Sequence, residues 1–261
     1  MSSSTSEAKL PTVYFPLTAD PAGHHHLLLA ESVLRQFPET QLLVFILSNG
    51  MHPDPLKYRK IPTAAVRVEI LRSALNDWTD PAKSQAAKIA EESGIEFKLT
   101  NNNTAISRRE LSYERPLRLA EHIRTFSAGE KVPMILGADL LERMLNPQIF
   151  TNEDLAEISR GCHLLLAPRN DVEIENVLKE LKQKRGISLS ISLIKTASLP
   201  QNLQRFFLIS STLIRRAAQA GDELKAFLPE TAAQQLTCYG LYEKQKSSLD
   251  IHSSNLTELQ R

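Results

Sequence analysis

Residues 12–37 read TVYFPLTADPAGHHHLLLAESVLRQF, and this stretch decides the fold. Thr12–Leu17 is a short run of β-branched, aromatic and apolar residues, the pattern of a buried strand. Thr18 opens a polar turn that Ala19-Asp20-Pro21-Ala22-Gly23 completes. A helix is expected from His24, because Leu27, Ala30, Val33, Leu34 and Phe37 recur three to four residues apart and make one apolar face. Strand, tight loop and helix in that order put free backbone N–H groups at the carboxyl end of the strand, where open α/β sheets bind phosphates. Three histidines stand at that mouth. Adjacent residues on a helix point in different directions, so His24, His25 and His26 cannot converge on one metal, and no metal site is expected. They read either as solvated residues of a first turn or as imidazoles of which at least one lies at a phosphate.

The rest of the chain repeats the alternation. Gln41–Leu47 is a near-continuous apolar run, as in an interior parallel strand, and Thr63 caps a helix with Val66, Ile70, Leu71, Ala74 and Leu75 on its core face. Pro81–Ser93 reads as a weaker helix ended by Gly94, Ile95–Leu99 as a short strand, Thr100–Thr104 as a loop and Leu117–Phe126 as a helix. Val132–Leu136 is a buried strand running into Gly137-Ala138-Asp139 and a helix over Leu140–Leu145. Cys162–Ala167 is a strand, Ile174–Lys184 an amphipathic helix, Ile187–Ile194 an alternating strand and Arg205–Ile209 a last short strand. Asp222 begins a short helix and Pro229–Tyr242 is a closing one. The expected fold is α/β: one doubly wound, Rossmann-like, mostly parallel sheet over residues 10–243, with helices on both faces and a small C-terminal helical segment. Residues 1–9 and 244–261 are polar and are expected to be mobile tails.

A net charge of +1 in 261 residues gives no electrostatic reason to expect nucleic acid or a membrane surface as partner. There is no signal-peptide core and no apolar run of membrane-spanning length, and the two cysteines, Cys162 and Cys238, fit a reducing cytoplasm.

Near the C-terminus, Ile209-Ser-Ser-Thr-Leu-Ile-Arg215-Arg216 sets three hydroxyl residues before a helix with two arginines close behind. The hydroxyls can cap. The arginines need another reason, since cations in a first turn are disfavoured unless an anion binds there. Hydroxyls, free N–H groups and a guanidinium at one helix start make a polyphosphate cradle.

Together these stretches resemble the nicotinate/nicotinamide mononucleotide adenylyltransferases of the HxGH nucleotidyltransferase superfamily. Thr18, Asp20, Pro21, His26 and Leu27 match the opening motif, Gly137-Ala138-Asp139 its GAD turn, Ile209–Thr212 with Ile214, Arg215 and Arg216 its ISSTxIRR motif, and Gly240-Leu241-Tyr242 its closing GLY. The resemblance covers most of residues 12–242. It implies ATP and a mononucleotide as substrates, Mg²⁺ carried with ATP, and in-line attack on the α-phosphorus with pyrophosphate leaving. It assigns catalysis to His26 and Arg215. Thr18, Asp20, His24, Gly137, Asp139, Arg169, Ser211 and Thr212 are assigned to the nucleotide, and Ser112, Tyr113 and Arg67 to the acceptor. Three positions depart from the pattern. Gly23 replaces the first histidine, His25 replaces the glycine that lets adenine approach the backbone, and Glu114 follows Ser112-Tyr113 where the family has threonine. His25 is therefore expected to narrow the adenine site. Two alternatives remain: a nucleotide-binding protein of this fold without catalysis, and a transferase of the superfamily with another acceptor.

Overall fold

A computed structural model describes residues 11–48, 61–108, 119–126, 130–167, 172–196 and 199–242. Its centre is a six-stranded parallel sheet in the order β3-β2-β1-β4-β5-β6. The strands are β1 (Thr12–Leu17), β2 (Leu42–Leu47), β3 (Thr104–Ser107), β4 (Val132–Gly137), β5 (Cys162–Ala167) and β6 (Ser190–Leu193). The order reverses between β1 and β4, which pair at Tyr14 and Met134. In a doubly wound sheet this reversal opens a crevice at the strands' carboxyl ends, because the chain departs to opposite sides from the two neighbours.

Alternation along the strands divides two cores. Val13, Phe15 and Leu17 of β1 face one side, with Ile135 and Leu165 of β4 and β5. There they pack against α1 (His24–Gln36), α2 (Ala64–Asp77), α3 (Gln85–Glu92) and the C-terminal helices α9 (Ser211–Ala220) and α10 (Glu230–Cys238). Met134, Leu164 and Leu166 face the other side, beneath α4 (Leu119–Phe126), α5 (Asp139–Met144), α6 (Asn152–Gly161) and α7 (Ile174–Arg185). A period of two feeding both faces is what a buried parallel sheet requires. The expected α/β class and doubly wound sheet are therefore observed.

Three expectations change. Ile95–Leu99 is not a strand: the buried Glu31 carboxylate accepts the backbone N–H groups of Lys98 and Leu99 (2.8 and 2.7 Å), and Phe97 stacks on Trp78 with centroids 4.4 Å apart. Those N–H groups cannot also serve a sheet ladder. Asn103 turns the chain by accepting from Thr100 N and donating to the Lys98 carbonyl, and the strand begins only at Thr104, within the segment expected to be a loop. Arg205–Ile209 is not a strand either; α8 (Gln201–Gln204) runs into a 3-10 turn, Arg205–Leu208, that buries Phe206. Finally, α6 fills a stretch given no element from sequence, started by a capping box in which Thr151 and Asp154 satisfy each other's backbone N–H. The tails and residues 49–60 lie outside the described residues.

Candidate active site

Two strand–turn–helix units flank the crevice. In the first, β1 gives way to residues 18–23, where Ala19 adopts a left-handed φ of 51° and the Asp20–Pro21 bond is cis. Gly23 is the N-cap of α1. In the second, β4 ends at Gly137, Ala138 is the only intervening residue, and Asp139 is the half-buried first residue of α5.

The polar backbone of the first turn needs partners, because unmet carbonyls in a buried loop are costly. They come from far along the chain. Arg67, 1% exposed on α2, donates Nη1 to the Thr18 carbonyl (2.5 Å) and Nε to the Pro62 carbonyl (3.1 Å). Ser211 Oγ donates to the Pro21 carbonyl (2.9 Å) and Arg215 Nη1 to the Asp20 carbonyl (2.6 Å). Arg215 Nη2 reaches Thr212 Oγ1 (2.8 Å), while Ser210 is the side-chain N-cap of α9, accepting from Leu213 N. The buried Asp20 carboxylate accepts the Tyr242 hydroxyl and lies 3.6 Å from Arg215 Nη1. The start of α9 is thus stapled to the β1 turn. Ser48 Oγ, from the end of β2, donates to Thr18 Oγ1 at 3.4 Å.

This arrangement revises several single-residue expectations. Arg67 is not an open contact for the acceptor; its guanidinium is buried and shapes the turn. The Ser211 hydroxyl donates within the staple, while the Thr212 hydroxyl oxygen accepts from Arg215 and keeps its own O–H. His24 does not face the mouth. Its ring is fully buried, with centroids 5.0 Å from Phe206 and 6.0 Å from Trp78, and neither nitrogen makes a hydrogen bond of normal geometry. Burial lowers its pKa to about 4, offset in part by the nearby Lys225 and Leu228 backbone, so this imidazole is neutral at physiological pH. The Phe227 carbonyl fixes the same residue from outside the helix by accepting His24 N–H (3.0 Å). Arg169, Ser112 and Tyr113 lie outside the described residues.

His25 and His26 remain at the mouth, both half-buried, with ring centroids 3.8 Å apart. His26 Nδ1 accepts the Gly23 backbone N–H (3.4 Å), which places the proton of the neutral ring on Nε2. Among the described residues no three His, Cys, Asp or Glu side chains converge to hold a metal ion.

No family model matches the chain. A probable nicotinate-nucleotide adenylyltransferase of Synechococcus sp. (strain JA-2-3B'a(2-13)) is 26% identical over 229 residues, spanning 86% of this chain and 93% of that protein. A nicotinic acid mononucleotide adenylyltransferase of Plasmodium falciparum complexed with NaAD superposes with a TM-score of 0.59 at 13% identity, over 88% of this chain and 96% of the other. The same Plasmodium enzyme complexed with APC gives 0.58 at 12% identity, with the same coverage. At that identity the superpositions speak for the fold, and the motifs and the Synechococcus relative speak for the family. The family resemblance holds. The GAD stretch is the β4 turn at the crevice, and the ISSTxIRR stretch forms the start of α9.

Proposed function

We propose that this protein transfers the adenylyl group of ATP to the phosphate of nicotinate mononucleotide, forming the dinucleotide and releasing pyrophosphate, a step of NAD biosynthesis. The observation that carries the reading is the staple of α9 onto the β1 turn at the strand-order reversal, made by Ser211 and Arg215, with His26 in the first turn of α1 that follows the same loop. The relatives' names supply the substrate class.

A phosphate oxygen of the mononucleotide attacks the α-phosphorus. The bond from that phosphorus to the bridging oxygen breaks, and pyrophosphate leaves with the electron pair. No covalent enzyme intermediate is needed, so catalysis is positioning and charge stabilisation. His26 Nε2–H donates to the oxygens on which charge develops. Arg215 and the first-turn N–H groups of α9 hold the β- and γ-phosphates, and Thr18 and Asp20 shape the wall between them. Gly137 lets the nucleotide approach β4, and Asp139 faces the ribose hydroxyls. Arg169 is proposed at the nucleotide, with Ser112 and Tyr113 at the acceptor base. Mg²⁺ is proposed to arrive on the triphosphate, where it would neutralise charge. No nucleic-acid partner is proposed. Among the described residues no helix is long and apolar enough to cross a membrane, and the two free cysteines, Cys162 and Cys238, support a cytoplasmic location.

Purified protein with ATP, Mg²⁺ and either mononucleotide, with pyrophosphate release followed, tests the reading. Turnover with nicotinate mononucleotide above that with nicotinamide mononucleotide is expected; none with either overturns it. Gly23 in place of the first histidine favours the second reading, nucleotide binding without turnover, and ATP binding without pyrophosphate release would establish it.

A further inference from the structure

Among the described residues, two that are not glycine adopt a left-handed φ: Ala19 at 51° and Tyr242 at 67°. A residue with a Cβ is disfavoured there, so its surroundings must hold it. The two lie near opposite ends of the described chain, yet they meet at one group. Ala19 precedes Asp20, and the Tyr242 hydroxyl donates to Asp20 Oδ1. The end of α10 prepares that contact. Gly240 turns at a φ of 56°, and Leu241 N–H closes onto the Leu236 carbonyl (3.0 Å), which points the chain back at the β1 turn. Tyr242 then spends its unfavourable backbone conformation on reaching Asp20.

Asp20 is 1% exposed and divides its acceptors between two partners. Its backbone carbonyl takes Arg215 Nη1 at 2.6 Å, and its carboxylate gives Oδ1 to Tyr242. Oδ2 stays 3.6 Å from the same Nη1, too long for a hydrogen bond. A carboxylate and a guanidinium this close, with nothing else holding the carboxylate, close into a two-point ion pair. Such a pair would turn the guanidinium away from Thr212 Oγ1, where Nη2 now donates at 2.8 Å, and would offset the positive charge that an anion meets. We propose that Tyr242 is a positioning residue for the phosphate site: by holding Asp20 Oδ1, its hydroxyl keeps the carboxylate from closing on Arg215 and so preserves the direction and charge of that guanidinium for an oligophosphate. The proposal rests on the adenylyl-transfer reading for its ligand class and for the role of Arg215, but not for its test.

The probe is inorganic tripolyphosphate, titrated by calorimetry against wild type, Tyr242→Phe, Asp20→Asn and the double variant, with a urea midpoint for each. Tyr242→Phe keeps the ring and removes the hydroxyl. It is expected to weaken tripolyphosphate about fivefold, within the range of coupling between contacting residues. Asp20→Asn keeps an acceptor for Tyr242 but has no charge to close on Arg215, so it is expected to bind the anion as tightly as wild type or more tightly. In that background Tyr242→Phe is expected to cost less than about twofold, because the competing carboxylate is gone. Unchanged binding in Tyr242→Phe overturns the proposal. Equal weakening in both backgrounds also overturns it, since a hydroxyl that only braces the turn would act whether or not residue 20 is charged. If Tyr242→Phe fails to fold, Asp20→Asn decides: retained or tighter binding supports the assignment, and weaker binding overturns it. Wild type that binds no tripolyphosphate overturns the proposal as well. Wild type that binds it yet releases no pyrophosphate with either mononucleotide defeats the adenylyl-transfer reading and leaves the Tyr242 result decisive.

Discussion

The two turns bordering the crevice solve the same problem in different ways. The β4 turn is one residue long and satisfied close by: Ala138 N–H reaches the Ala167 carbonyl of the neighbouring strand, and the Ala138 carbonyl takes Leu141 N–H. The β1 turn is longer, carries a left-handed Ala19, and has its carbonyls met by Arg67, Ser211 and Arg215. A short turn between a strand and a helix can borrow its partners from the sheet. A longer one that sets His25 and His26 at the mouth must import them, so its shape depends on residues as far away in sequence as Tyr242.

Breaking the β1 turn at its chemical end has the largest expected effect. His26→Ala should lower kcat roughly 10²-fold or more, with a smaller change in KM, the pattern of a contact made chiefly in the transition state. A loss confined to KM would contradict that role. Steady-state kinetics on both substrates decides it.

Next comes packing. Gly23→Ala should destabilise by about 1–3 kcal/mol, because the added methyl meets the Phe227 carbonyl as well as Ile214. Urea denaturation measures this. An unchanged midpoint would show that the C-terminal segment can yield there.

The import of partners can be tested as a coupling. Tyr242→Phe removes one hydrogen bond to the buried Asp20 carboxylate and should cost about 1.5 kcal/mol, and Arg215→Ala should weaken ATP binding as well as stability. Because both residues meet Asp20, their stability losses should be non-additive in a double-mutant cycle. Strict additivity would mean that the two contacts support the turn independently.

The smallest effect concerns His24 and pH. Its folded pKa of about 4 lies below the ordinary histidine value of 6.5, so the unfolded chain binds the extra proton between those values. This contribution to stability is intact above pH 6.5 and is lost as pH falls towards 4, with a slope of at most about 1.4 kcal/mol per pH unit. At pH 5.5 the wild type should lose about 1 kcal/mol more, relative to pH 7.5, than His24→Leu does. Parallel losses in the two proteins would mean that the imidazole titrates without burial.

The period-two strands and the apolar faces of α1 and α2 were legible because burial on both sides of a sheet leaves continuous or alternating apolar runs. The GAD and ISSTxIRR turns were legible by resemblance. What escaped was set by side chains acting at a distance. Ile95–Leu99 looks like a strand until Glu31, 68 residues before Leu99, takes its N–H groups. The inward turn of His24 follows from Phe206 and Trp78, which no local pattern around residue 24 announces. One missed element did carry a signal. Thr151 and Asp154 are spaced as a capping box, with aspartate in the place more often held by glutamate or glutamine.

The Tyr242 hydroxyl bound to Asp20 has a consequence for biosynthesis. The two partners are 222 residues apart, so the first functional loop to leave the ribosome waits for one of the last described residues before it is complete. Its histidines are made early and assembled late. A nascent chain that has not yet reached residue 242 can form β1, α1 and β2, yet it lacks the hydroxyl that closes the turn over its own carboxylate.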